Sequence, residues 1–541
     1  MVNRLKPLNL FDFTGGVNLR PETFQLAENE LPELLNLEVD PRGGLNTRKS
    51  WTNANTSLAV PAGTGWNPRR AVAMRKQNGD RWTYVANGGD ATVRALGPAG
   101  TYTQVATGCV ADPHMADFAP WGDLMYVVTG AAAQYIDGAT ATALTASAAA
   151  NWQNDYAAPG ATDTFPTADF VAPHMGYMFV ARTTEDAVKY PNRIRWSHPN
   201  NPRRWAQSDY IDITEGAGRI TAIVPFSDRL VIFKPDSVWA LYGYDADTWD
   251  VANISRTVGA ISRQAVCRNE STVFFMSWPQ GIFAYTGTKV DEISVQVRPV
   301  FADGKMHPSF INNSWVAWVD RRLWCSLPYN TIPPPIEAQT VFVWDPTMQS
   351  WTMFRGGDAN ANVPGPFVEL PDGDKYVAYT RLQPYLVRVN GPATTATDEV
   401  VPGTVVAFDT RFRTKWVDAG APTWKKSWRR PDFLLRGLTL DTAVNVQVFH
   451  DYDNFNAERS FQVLYTPDNY PAIWTVDADP VKHGFKWGDG TNFGGSDQTS
   501  SVERGGTMGR AGTVQLLCVG NPGVTWGLNG IIFKYVPRRF R

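Results

Sequence analysis

The residues best suited to chemistry are concentrated in one stretch, RFRTKWVDAGAPTWKKSWRR over 411–430. There Arg411, Arg413, Lys415, Lys425, Lys426, Arg429 and Arg430 are interleaved with Trp416, Trp424 and Trp428. Cations spaced among indoles can neutralise phosphates while the rings stack on bases, which is the chemistry of a nucleic-acid surface. The same pattern is produced by a hairpin that turns its aromatics inward and its cations outward, toward a neighbouring subunit. The second reading is favoured, and it assigns these ten residues to an interface. A net charge of −2 argues against a globally basic nucleic-acid binder but leaves a local patch open.

Other chemistry is sparse. The sequence contains no HExxH, no GxSxG, no GxxxxGK[ST] and no GxGxxG opening a helix. The six histidines (His114, His174, His198, His307, His450, His483) stand at no ligand-like spacing. Cys109, Cys267, Cys325 and Cys518 form no CxxC pair, so buried, reduced thiols are expected rather than a disulfide scaffold or a zinc site. Asp451-Tyr452-Asp453-Asn454 opens like a calcium loop, but Phe455 and Asn456 occupy positions where an oxygen ligand and a glycine are needed. Asp245-Ala246-Asp247 lacks that glycine too, and both read as solvated turns. Asp345–Trp351 resembles the Asp-box turn of sialidase blades without its Ser-x-Asp-x-Gly core. No catalytic residue, cofactor or metal is assigned.

The elements that must carry these residues are short strands. The stretch 219–243, RITAIVPFSDRLVIFKPDSVWALYG, holds three β-branched or aromatic runs, Ile220–Val224, Leu230–Phe233 and Val238–Tyr242. Ser227-Asp228 and Pro235-Asp236 separate them, which predicts an antiparallel meander. One such sheet has two faces and two edges to cover, so it requires neighbours like itself. Similar runs ending in a Gly-bearing tip recur at Gly97, Gly138, Gly243, Gly287 and Gly391, several at steps of about 40–44 residues. That period is the signature of propeller blades, and the tips predict about seven of them, within a range of six to eight. With 21 Trp, 45 Gly and 38 Pro in 541 residues, the composition suits many short strands joined by tight turns better than long helices.

The expected organisation is all-β. Residues 1–65 form an N-terminal segment packed on the C-terminal region, 66–391 the β-propeller, 392–403 a linker, and 404–541 a sandwich-like platform or channel domain with a Gly-rich loop at 484–512. No window approaches a membrane span. The opening MVNRLKPLNLFDF lacks the apolar core of a signal peptide, so synthesis in the cytoplasm without export is expected.

Several segments, taken in order, carry a family resemblance. FTGGVN…LAENELPELLNLEVDPRGGLNTRKSW, NRIRWSHPNNPRRW, ITAIVPFSDRLVIFKPDSVWALYG, VFFMSWPQGIFAYTG and FRTKWVDAGAPTWKKSWRR together span most of the chain. They are similar to the tail nozzle (tail tubular protein B-like) proteins of short-tailed bacteriophages. That resemblance implies a non-enzymatic virion component of the tail. It implies a ring of several copies, typically six, below the head–tail adaptor, a channel through which double-stranded genomic DNA leaves, and outward propellers to which tail fibres attach. The Gly-rich stretch 484–512 departs from the pattern, which leaves the gate of the channel unassigned. Two rival readings are a glycan-binding or glycan-cleaving propeller for host attachment, and a hub or stopper of a longer tail. On the leading reading the channel wall is acidic or mixed, and glutamate at Lys425 and Lys426 impairs assembly more than DNA affinity.

Overall fold

The computed structural model describes residues 5–53, 68–88, 91–99, 102–106, 116–146, 164–302, 305–306, 311–312, 314–329, 340–356, 364–368, 370, 377–380, 386–391, 395–401, 404–436, 442–465 and 501–537. Cys109, His114, His307, His483 and residues 484–500 of the Gly-rich stretch lie outside them. The chain is all-β and divides into two units.

One unit comprises Asn53–Val341 and Ala359–Val389 and is a β-propeller. The meander expected around residue 230 is its fourth blade, formed by Ala222–Phe226, Arg229–Phe233, Val238–Tyr242 and Asp250–Ser255 in consecutive antiparallel order. Ser227 turns the first hairpin at φ +52°. At the tip, Gly243 adopts φ +118°, and a Cβ there would stand 2.7 Å from the Thr248 carbonyl oxygen. The side-chain period of two sends alternate residues to opposite faces. Ile223, Leu230, Ile232, Trp239 and Leu241 pack on Phe170, Phe179 and Trp196 of the preceding blade. Val224, Val231, Phe233 and Val238 pack on Val273, Phe275 and Tyr285 of the following one. Both faces of the first three strands are therefore largely buried, which explains runs too apolar for a sheet with a wet face.

Four more sheets repeat the plan, beginning at Pro68–Arg75, Asp117–Trp121, Thr167–His174 and Val266–Arg268. Among the described residues five sheets therefore consist of four strands consecutive in sequence, where about seven blades were expected. Between the last and the first of them lie Trp315–Val319 with Arg322–Leu327, the first two strands of a larger sheet, and Pro364–Val368 with Val377–Thr380 and Leu386–Arg388, a four-stranded sheet completed by Thr52–Asn53. Their leading strands neighbour one another and the leading strands of the fifth and first blades. Tips register where an apolar run ends, not whether the strands that pair are consecutive in sequence.

The other unit is assembled from Met1–Thr52, Phe342–Asp358 and Asn390–Arg541. Within it Ser350–Phe354 lies parallel to Glu33–Leu35 and to Gly16. One group of strands surrounds Gly527–Pro537, which pairs with Lys6–Leu10, Leu45–Thr47, Lys426–Trp428 and Asp432–Arg436. A second runs Glu33–Leu35, Thr410–Arg413, Val514–Gly520, Thr442–His450, Arg459–Tyr465.

At the heart of this unit the Arg48 guanidinium donates to both oxygens of Asp398, to Asn36 Oδ1 at 2.9 Å and to the carbonyls of Lys49 and Arg355 at 2.9 and 3.0 Å. It is sandwiched between the rings of Trp51 and Phe408, 4.2 and 3.8 Å from their centroids. Planar donors in a fixed fork suit a bidentate carboxylate and an aromatic face together, which an ammonium could not do.

Candidate functional site

The stretch 411–430 is not a hairpin. Thr410–Arg413 pairs with Glu33–Leu35 and Val514–Gly520, whereas Lys426–Trp428 pairs with Gly509–Ala511 and Gly527–Pro537. The two strands thus join different partners, and residues 414–425 cross between them. Alternation in the first strand buries Thr410 and Phe412 and turns Arg411 and Arg413 to the other face. There both guanidinium groups face Glu33, Arg411 at 2.8 Å and Arg413 at 3.6 Å, and Arg413 also lies over the Phe449 ring. Lys415 pairs with Glu28, and the Trp416 indole N–H donates to Thr23 Oγ1 at 3.0 Å.

The second strand points Lys426 and Trp428 inward. The Lys426 ammonium donates to the carbonyl oxygens of Ala421, Trp424 and Gly512. Burial pushes its pKa below the ordinary lysine value, against the opposing charges of Asp418 and Asp451. The Trp428 indole donates to the Ala511 carbonyl at 3.1 Å. Trp416, Lys426 and Trp428 are therefore corrected as interface residues: their side chains are buried in this chain and occupied by its own groups. A glutamate at 426 would place a carboxylate among three carbonyl oxygens, so that substitution tests folding and not assembly.

What remains accessible is Trp424, 55% exposed, with Lys425, Arg429 and Arg430. Arg429 and Arg430 flank a hollow together with Arg504, Lys534, Asp432 and Thr507. Lys534 is paired with Asp432, while Arg429, Arg430 and Arg504 form no ion pair among the described residues. In the sequence Lys534 belongs to the basic stretch KYVPRRFR, 534–541. Arg504 carries no local signal, because antiparallel pairing of Asp432 with Arg504 brings it here across a long sequence separation. This surface can offer several guanidinium groups and an indole to an acidic partner, with little reorganisation of the sheet beneath.

Elsewhere the charged clusters are internal. In the third blade Arg195 forks onto both oxygens of Glu185 at 2.7 and 2.8 Å, and Arg193 bridges Glu185 and Asp212. Burial pushes the Glu185 carboxyl up, but hydrogen bonds from Arg195 and Thr183 and the two arginine charges outweigh it and hold the pKa below the ordinary value. Asp345 accepts from the backbone N–H groups of Thr347 and Met348, which is the work of a turn cap. Asp451 and Asp453 likewise cap backbone N–H groups. Among the described residues no group of three or more His, Cys, Asp or Glu could hold a metal ion, and no helix is long and apolar enough to cross a membrane.

No family model matches the chain, and no curated protein matches it. Solved structures to which it is similar include a virginiamycin B lyase from Staphylococcus aureus, at 11% identity over 61% of this chain and 96% of that one, with a TM-score of 0.37. A streptogramin B lyase shares 9% identity over 61% of this chain and 94% of its own, with a TM-score of 0.38. A GH74 enzyme from Niastella koreensis shares 11% identity over 60% of this chain and 44% of its own, with a TM-score of 0.34.

Proposed function

We propose that this chain is a non-enzymatic structural protein of a virion tail, of the nozzle type, acting as a ring of copies around a channel for genome ejection. The reading rests on the sequence resemblance set out above and is supported by one structural observation. On the unit that contains residues 404–541, Trp424, Lys425, Arg429, Arg430 and Arg504 are exposed beside one another or around one hollow, while Arg411, Arg413, Lys415 and Lys426 are satisfied within the chain. Arginine and tryptophan are the residues that dominate the centres of protein interfaces. A ring needs a heterologous contact that closes by rotation, and a fixed cationic patch can meet an acidic face of the next copy. The sandwich-like platform then forms the ring, and the propeller offers its rim to tail fibres.

The test is electron microscopy and native mass spectrometry of the purified full-length chain, alone and mixed with a head–tail adaptor ring. Closed rings, typically of six copies, are expected in the mixture. A chain that stays monomeric with the adaptor, or that turns over host-surface glycans, overturns the proposal.

A further inference from the structure

The innermost strands of the propeller enclose a cavity of about 390 Å³. Arg69, Arg70, Arg263, Arg268, Trp315 and Trp318 contribute to its wall, and among the described residues no carboxylate lines it. A counter-charge beside it is Asp117, a fully buried carboxylate at the start of the second blade. Its oxygens already accept from the backbone N–H groups of Phe118 and Val171. It stands 3.2 Å from Arg263 Nε and 3.6 Å from Arg70 Nε, so one negative charge is shared by two guanidinium groups. Arg268 forms no ion pair among the described residues; it donates to the Pro225 carbonyl. Positive charge therefore exceeds negative charge here, with Arg70 and Arg263 largely withdrawn from water at 22% and 14% exposure and Arg268 exposed, and an anion would offset the cost.

The electrostatics agree with that geometry. Burial and then the charge of Arg263 bring Arg70 down to about 10, and the same two causes in the same order lower Arg268. A second kind of group points the same way. The indole N–H of Trp315, on a side chain buried to 4% exposure, has no hydrogen-bond partner among the described residues. That donor is left available to an acceptor in the cavity. The cavity is of a size that takes small ligands.

We propose that the axial cavity of the propeller binds a phosphate-class oxyanion through Arg70, Arg263 and Arg268, with the Trp315 indole as a further donor. Guanidinium forks match tetrahedral oxyanions with paired hydrogen bonds, and the aromatic wall leaves room for an organic substituent on one oxygen. This site is independent of the ring proposed above.

Isothermal titration of the full-length chain tests it, using inorganic phosphate in one arm and glucose 1-phosphate in the other, with ionic strength held constant by sodium chloride. One site per chain is expected. Arg268→Gln is the first variant, because it leaves the Asp117 pairs intact and is expected to fold like the parent, which thermal melting checks; Arg263→Gln is the second. Each is expected to weaken binding about tenfold or more, the loss typical of one charge-assisted contact. Arg256→Gln, an exposed surface arginine of the same unit, is expected to leave binding unchanged. Tighter binding of the ester identifies esterified phosphate as the occupant and tighter binding of the free ion identifies inorganic phosphate, and either supports the site. Heats that chloride alone reproduces, or parent-like affinity in both cavity variants, overturn it.

Discussion

Asp398→Ala removes the one counter-charge, among the described residues, of a guanidinium that joins the three chain segments of the N- and C-terminal unit. Arg48 and Asp398 are 1% and 0% exposed. Without the carboxylate, Arg48 keeps three neutral acceptors, Asn36, Lys49 and Arg355, and the Trp51 backbone N–H loses the oxygen that accepts from it at 2.9 Å. Breaking a buried pair from one side costs about 3–5 kcal/mol, because the remaining charge is left uncompensated. For a unit of this size each kcal/mol moves Tm by about 2–4 °C, so a fall of about 6–20 °C is expected in the transition that reports on it. The half-exposed Arg411–Glu33 pair is the internal control, and Glu33→Gln is expected to cost about 1 kcal/mol or less. The double variant Arg48→Met/Asp398→Leu should recover most of the loss, since an apolar pair fits between the Trp51 and Phe408 rings where a lone guanidinium does not. Differential scanning calorimetry of the four proteins measures all of this. A fall below about 2 °C for Asp398→Ala, or a double variant no better than the single, refutes the reasoning.

Two further outcomes are expected. Lys425→Glu, at an exposed side chain, should leave Tm within about 2 °C and reduce ring formation measured by native mass spectrometry, whereas Lys426→Glu should lower Tm strongly, as thermal melting of both would show. Glu185 has a pKa held below its unfolded value, so its contribution to stability is present above that unfolded value, about 4.5, and is lost as pH falls through the folded value. The Tm difference between the parent and Glu185→Gln should therefore be largest near neutral pH and shrink as pH is lowered from about 6 to about 3. A difference that grows toward acid would reverse the assigned sign.

The blade at 222–255 was legible residue by residue. Strand period, the Ser227 turn and the Gly243 tip are local properties, and chain neighbours are also space neighbours in a meander. The same logic failed at 411–430, where cations and indoles at short spacing suggested a hairpin. Thr410–Arg413 finds its partners at Glu33–Leu35 and Val514–Gly520, hundreds and about a hundred residues away, and no local pattern encodes them. Residue type alone could not say that Lys426 ends on three carbonyls while Lys425, one position earlier, points to water; the sheet into which the strand is inserted decides that. The axial arginines were likewise invisible beforehand, since they come from different blades and meet only when the circle of inner strands forms. Local sequence thus determined the all-β class, the strands and their turns, because these depend on alternation and backbone preference over a few residues. Tertiary structure decided which charges are neutralised and which are offered, because that depends on long-range pairing and on how far each group is withdrawn from water.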